Sequence, residues 1–331
     1  QVNNRKLLAV YNTCGVSGDK TDWYIKSIET LIDQDLDGTE VVLSSCRNST
    51  RCIEQVYKKF GNKISYFLTP QLHTVNITFN KAVQESVKYF GEFDGYMYID
   101  SGCIMDEQKD IFRSAHKTMV DNDYGIVVVQ TDTDECLENL GPPYVYESRE
   151  IQVKDEHLVV PIGVSVNQHT AVFNNKIFKQ YNKLYPDIFA AFCSESVLNY
   201  IASSVDMRWA IMADRQVRHL KAVDGPSSGF QHRVEAKDKT GQMVKNNPWN
   251  NLLYGRDAYD MINSKEAYLA GLGYEECAGI MPHNPEAYDQ DGRCKDSRRL
   301  SETIRKYLFL SKEELDYDTI ECRYIGGKLN G

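Results

Sequence analysis

The chain has 331 residues, 42% of them hydrophobic and 26% charged, which supports one large folded unit or a main unit with an extension. A formal net charge of −9 excludes the basic footprint of a nucleic-acid or anionic-lipid binder. No window approaches the roughly 20 uninterrupted apolar residues of a membrane span and no secretory leader is legible, so the expected location is cytoplasmic.

Residues 6–13, KLLAVYNT, predict a strand that ends in small polar residues. Trp23, Ile25, Ile28, Leu31 and Ile32 recur at helical spacing. The adjoining stretch, IDQDLDGTEVVLSS, opens like a calcium-binding loop: Asp33, Asp35, Asp37 and Gly38 reproduce D-x-D-x-D-G. Such a loop closes on a bidentate carboxylate at its twelfth position, and that position is Ser44. The segment is therefore read as a polar helix-to-strand turn.

TEVVLSS (39–45) predicts the second strand, 50–60 a helix, 63–69 a third strand and 75–90 a longer helix. DGYMYIDSG (94–102) predicts a fourth strand, 110–120 a helix and 124–131 a fifth strand. This alternation argues for a parallel sheet with helices on both faces, with ligands outside the carboxyl ends of the strands. From about residue 140 the pattern loosens. IQVKDEHLVVPIGVSV suggests a hairpin or two edge strands, 174–185 and 194–204 suggest helices, and RWAIMADRQVRHL suggests a further strand. Residues 236–251 are polar, and the last 70 residues look mainly helical. The division expected is a main domain over 1–235, in two halves that meet near 135, and a mainly helical extension over 236–331.

Nine cysteines stand singly with no C-x-x-C pair, which argues against a zinc ribbon and for reduced, buried thiols. The sequons at Asn48 and Asn76 are read as chance matches.

SIETLIDQDLDGTEVVLSSCRNST resembles a signature of the family-2-like glycosyltransferases, with Gln34 at its Gln and Glu40-Val41-Val42 at its strand entry. TVNITFNKAV resembles their A-R-N helix start, with Asn80 at the Asn, and YMYIDSG resembles the strand that ends in D-x-D. The resemblance covers about residues 5–135, and more thinly 160–232. It implies a GT-A fold, Rossmann-like and mostly parallel, and transfer of a hexosyl or pentosyl group from a nucleotide-diphospho-sugar to a hydroxyl of a glycan or glycoconjugate. There are departures. SSCRNS replaces the acidic pair that contacts the base, Phe79 replaces the usual Arg, and Gly102 stands where the second Asp belongs.

On that resemblance Tyr11, Asn12, Thr13, Arg47, Asn80, Asp100 and Ser101 are expected to bind the nucleotide sugar, with Ser45 or backbone groups sharing the task of Arg47. Asp100 with His219 or His232 would hold a divalent metal, Mn2+ or Mg2+, that stabilises the diphosphate leaving group. Asp132-Thr133-Asp134 is a literal D-x-D, a weak motif by itself. Glu195, after a plausible N-cap at Ser194, is the expected general base; helix capping is the competing role for an acidic residue there. Gly225, Ser227, Ser228 and Gly229 suit a loop closing over phosphate, and Trp209 or Trp249 could stack on an acceptor sugar. The alternatives are a binding protein without turnover, or a nucleotidyltransferase, although YNTCGVSGDKT lacks the arginine of that class's phosphate loop. No nucleic-acid partner or integral membrane segment is expected, and the oligomeric state is left open.

Overall fold

The computed structural model describes residues 5–71, 73–131, 145–153, 156–163, 170–187, 198–219, 289–290, 293 and 295–326. Strand and helix alternate through the first half as β1 (Leu7–Cys14), α1 (Thr21–Ile32), β2 (Thr39–Cys46), α2 (Thr50–Phe60), β3 (Ser65–Thr69), α3 (Val75–Phe90) and β4 (Gly95–Asp100). A two-residue strand β5 (Cys103–Ile104), α4 (Ile111–Asp121) and β6 (Tyr124–Thr131) complete that half. The hairpin expected next is present as β7 (Val145–Val153) and β8 (Glu156–Gly163). After it come β9 (Thr170–Asn174), α5 (Asn175–Tyr181), α6 (Leu198–Ser204), β10 (Arg208–His219), α7 (Ser297–Tyr307) and β11 (Arg323–Ile325).

The strands form one mixed sheet in the order β11-β3-β2-β1-β4-β9-β6-β10-β8-β7, with β5 pairing the end of β10. β1 to β4, β6 and β10 run parallel; β9 is antiparallel to both its neighbours, β8 is antiparallel to β10, and β11 is antiparallel to β3. This is the mostly parallel, helix-flanked sheet that the resemblance implies.

The strand period explains why both faces are covered. All eight residues of β1 are buried. Leu7, Ala9 and Tyr11 join a core with Tyr24, Ile28 and Leu31 of α1, Val56 of α2 and Phe112 and Met119 of α4. Leu8 and Val10 join the opposite core with Phe79 and Val83 of α3, Phe178 of α5, Ile201 of α6 and Ile304 of α7. A strand buried on both faces reads as a continuous apolar run, as LLAVY does. No helix among the described residues is long and apolar enough to cross a membrane.

Residues 295–326 fall in the stretch read as a helical extension. In the structure they pack into the main unit: Leu300 and Ile304 enter its core, and β11 lengthens its sheet at the β3 edge. Tyr324 of β11 stacks on Tyr89 with ring centroids 4.2 Å apart.

The calcium-like turn is accounted for by ion pairs. Asp33 meets Lys109 at 3.0 Å, Asp35 meets Arg113 at 2.6 Å and Asp37 meets Lys6 at 2.5 Å. Each carboxylate thus has its own cation, and the turn bridges α1 to the start of α4 and to β1. Millimolar calcium should leave the melting midpoint unchanged in a thermal scan. A rise that EGTA reverses would restore the calcium reading.

Candidate functional site

In an open α/β sheet the ligand crevice lies where the strand order reverses. Here β2 and β3 build outward on one side of β1, whereas β4 lies on its other side. The crevice is therefore at the carboxyl ends of β1 and β4, where Cys14 and Asp100 terminate their strands.

Asp100 opens the D-S-G turn. Its Oδ1 accepts the backbone N–H of Ser101 at 2.8 Å, and the Ser101 carbonyl accepts the hydroxyl of Tyr11 at 2.6 Å. Burial pushes the Tyr11 phenol well above its ordinary range, so it remains a neutral donor that ties β1 to the turn. After the turn β5 pairs antiparallel with the end of β10, setting His219 opposite Cys103. That register carries His219 Nε2 to 3.2 Å from Asp100 Oδ2, across 119 positions of sequence. The two side chains are 13% and 30% exposed, so the pair is partly open to solvent. Asp100 and His219, expected together at a metal, are neighbours in the fold.

The other expected ligand-binding residues divide. Tyr11, Asn12 and Thr13 are each 1% exposed. Asn12 donates to the Val75 carbonyl at 2.7 Å and accepts from Thr78 Oγ1 at 3.2 Å. Thr13 Oγ1 bonds the Ser44 carbonyl, the Tyr24 hydroxyl and Asn48 Nδ2. These side chains are buried and hydrogen-bonded within the protein at the carboxyl end of β1. Ser101, 2% exposed, acts through its backbone. Asn80 is likewise engaged within the protein. Its amide donates to the Tyr185 carbonyl and the Tyr317 hydroxyl, and its Oδ1 accepts from the N–H groups of Leu184 and Tyr185. All four hydrogen-bonding sites of the side chain are used within the protein. Phe79, at the usual Arg position, packs edge-on to Tyr98 and Tyr185 in the core. Trp209, 1% exposed, is also core and offers no face to a sugar.

Arg47 stays at the rim. It is exposed, and its backbone takes the left-handed conformation at φ 48° while its N–H bonds the Thr69 carbonyl. Such a conformation costs a non-glycine residue on the order of 1 kcal/mol. It turns the chain outward just past β2, whereas Ser45 remains buried.

Two residues carry more of the site's geometry than the sequence reading assigned them. Asn48 accepts from Val16 N–H at 2.9 Å and donates to Thr13 Oγ1, Ser45 Oγ and Tyr24. It locks the loops after β1 and β2 together. Its one sequence signal was a sequon, and as a glycan acceptor it is excluded because its Nδ2 is engaged. The other sequon, Asn76, is buried and donates to the Pro186 carbonyl. Gln34 reaches under the segment after β5, donating to the carbonyls of Met105 and Gln108 at 2.8 Å and accepting from Ile111 N–H at 3.1 Å. A glutamine at the end of α1 thus supports the chain that leaves the Asp100 turn.

Among the described residues no group of three or more His, Cys, Asp or Glu side chains could hold a metal unaided. Asp100 and His219 offer one carboxylate and one imidazole, a set that suits Mn2+ better than the all-oxygen preference of Mg2+. Two protein ligands fit an ion that takes its remaining ligands from substrate phosphates and water. Asp132, Asp134, Ser194, Glu195, the 225–229 loop, His232 and Trp249 lie outside the described residues.

No protein-family model matches the chain, and no curated protein matches it. Among solved structures it is similar to TarS of S. aureus at 13% identity, over 83% of this chain and 48% of that one, with a TM-score of 0.46. It is also similar to the mannosyltransferase PcManGT of Pyrobaculum calidifontis, solved with GDP-Man and Mn2+, at 12% identity over 84% and 77% of the two chains, TM-score 0.47. A UDP-glucose pyrophosphorylase complexed with UDP-glucose is similar at 12% identity, with 65% and 91% coverage and a TM-score of 0.39. The chain spans about half the length of TarS. Likenesses this distant carry no argument about chemistry, which rests on the residues themselves.

Proposed function

We propose that this chain is a glycosyltransferase that moves a hexosyl or pentosyl group from a nucleotide-diphospho-sugar to a hydroxyl of a glycan or glycoconjugate. The observation that carries the reading is the Asp100–His219 pair, a carboxylate and an imidazole in contact at the strand-order switch point. It stands on the segment whose sequence resembles the D-x-D strand of that family.

Asp100 and His219 are the residues that would hold a divalent ion, which when bound neutralises charge on the departing diphosphate. The protein's own contribution is orientation. The Ser101 N–H fixes one carboxylate oxygen of Asp100, and His219 Nε2 lies against the other as long as no ion takes the Nε2 lone pair, so the carboxylate is held close to one rotamer. Arg47 supplies an exposed cation at the rim, in reach of an incoming anionic donor by its long side chain. Glu195 is the proposed base that takes the acceptor hydroxyl proton if configuration is inverted.

A thermal-shift panel of UDP-, GDP-, CMP- and dTDP-sugars, with and without Mn2+, tests the reading. A donor at 100 times its dissociation constant adds about 2.7 kcal/mol, a shift of several degrees. The expected result is one base preferred over the others, accompanied by sugar transfer or slow donor hydrolysis in a product assay. Binding with no turnover on any acceptor would favour the binding-protein reading. Pyrophosphate-dependent formation of a nucleoside triphosphate would favour the nucleotidyltransferase. No shift with any donor would sink the transferase reading and favour a protein that binds glycans without turnover.

A further inference from the structure

β10 does not run straight to His219. It pairs in parallel with β6 as far as Met212 opposite Val129, and resumes at Gln216 opposite Gln130, so Ala213, Asp214 and Arg215 bulge out of the ladder. A bulge bends its strand and re-aims the residues on its far side. There the last residues of β10 pair with β5, a partner strand of only two residues. So short a ladder is a weak hold on the residue that meets Asp100.

The hold comes from side chains. Arg215 Nε and Nη2 donate to the two carboxylate oxygens of Asp110 at 3.1 and 3.0 Å. Arg218 forms the same fork on Asp106, with Nε to Oδ1 at 2.9 Å and Nη2 on Oδ2. His219 on Asp100 is the third rung. The three acidic partners come in chain order from the segment that leaves β4, so the ladder runs antiparallel along β10. Gln108 Oε1 also accepts the Gln216 N–H at 3.1 Å. Other charges nearby are Asp214 and Arg113, 3.5 Å from Arg215 and 3.9 Å from Asp110, and Lys26, whose field reaches Asp106. The Arg218 fork holds the Asp106 carboxyl below its ordinary range. Burial alone would raise the Asp110 carboxyl, but the bonds from Arg215 outweigh it and the net shift is downward. Two parallel N–H···O bonds fix the angle between partners as well as their distance, which a single ammonium contact does not.

We infer that Arg218 and Arg215 are positioning residues: their bidentate pairs with Asp106 and Asp110 clamp the redirected end of β10 onto the segment after β4, and so set His219 against Asp100. The catalytic consequence rests on the glycosyltransferase reading; the geometric one does not.

The test uses Arg218→Gln, Arg218→Lys, Asp106→Asn and the charge-swapped double variant Arg218→Asp with Asp106→Arg, all in the full chain without ligand. NMR tracks the His219 imidazole and the Ser101 amide, both assigned by substitution. Arg218→Gln and Asp106→Asn should move or broaden both signals while the remaining core amides stay put. Arg218→Lys should restore them only in part, and the swapped pair should restore them more fully. Unmoved His219 and Ser101 signals in Arg218→Gln or Asp106→Asn overturn the inference. Should one variant fail to fold, the other and Arg218→Lys still decide it. In turnover, the variants that move the signals should lose roughly 10- to 100-fold in kcat with little change in acceptor KM. Moved signals in a protein that transfers no sugar in any form would leave the clamp standing and remove the glycosyltransferase reading alone.

Discussion

Replacing Asp187 with alanine is expected to cost about 3–5 kcal/mol of unfolding free energy at neutral pH, because it removes the carboxylate that neutralises a largely buried lysine. Asp187 is 0% exposed, and its partner Lys183, 2.7 Å away, is 12% exposed. The carboxylate also accepts the N–H of Leu310 at 2.7 Å and the hydroxyl of Tyr317 at 2.8 Å. Tyr317 in turn receives Asn80 on its hydroxyl and Lys81 on its carbonyl. One carboxylate thus fastens the C-terminal segment to α3 and to the turn after α5.

Burial raises the Asp187 carboxyl by more than Lys183 and the two donors lower it, so its folded pKa lies above the ordinary aspartate value. By linkage, a raised pKa makes a contribution that is present below the ordinary value and lost as pH rises through the folded one. The ion pair therefore adds little net stability at neutral pH, and the loss in the alanine variant comes from leaving the Lys183 charge uncompensated, although its Nζ keeps the Leu310 carbonyl at 2.8 Å, and from leaving two donors without their acceptor. Asp187→Asn should cost less, since its amide oxygen can still accept. Joint replacement of Asp187 and Lys183 by leucine and methionine should recover much of the loss. Urea denaturation measures all of these. A cost below about 1 kcal/mol for Asp187→Ala would mean that water reaches Lys183 and replaces the pair.

The second large effect is on activity. Asp100→Asn preserves the size of the side chain and an acceptor for Ser101 N–H, but removes the negative charge. With a quarter to a third of that side chain exposed and the turn intact, the fold should be little affected. Sugar transfer should fall about 10²- to 10³-fold in kcat, the range seen when one preorganised electrostatic contact to a developing charge is removed. His219→Gln should lose about 10- to 100-fold, as expected for a group that orients or shares a ligand with a carboxylate. Initial rates at saturating donor decide the matter. An Asp100→Asn protein that retains more than a tenth of the wild-type rate would mean that Asp100 is a turn residue and the chemistry lies elsewhere.

Residues differed in how far their roles were legible. Asp100 was visible because a carboxylate closing an apolar strand is a local pattern, read within the ten residues around it. Asn80 matched a motif and was assigned to the ligand, yet its amide is spent on Leu184, Tyr185 and Tyr317. Nothing near Asn80 in sequence announces partners 104 or more positions away. Asn48 was passed over for the same reason: its partners Thr13, Val16 and Tyr24 belong to another strand, loop and helix.

What the sequence determined by itself was the alternation of strand and helix, the parallel sheet and the β7–β8 hairpin. Period-2 and period-3.6 burial are properties of adjacent residues, and a chain buried on both faces must read as apolar runs such as LLAVY and GIVVV. Only the tertiary structure decided that His219 lies on Asp100, that the three turn aspartates are neutralised by Lys109, Arg113 and Lys6, and that residues 295–326 share the main core. Each depends on which distant group completes a hydrogen bond or covers an apolar face. That choice is made by strand register and a bulge in β10, and neither is encoded in the residues of one segment alone.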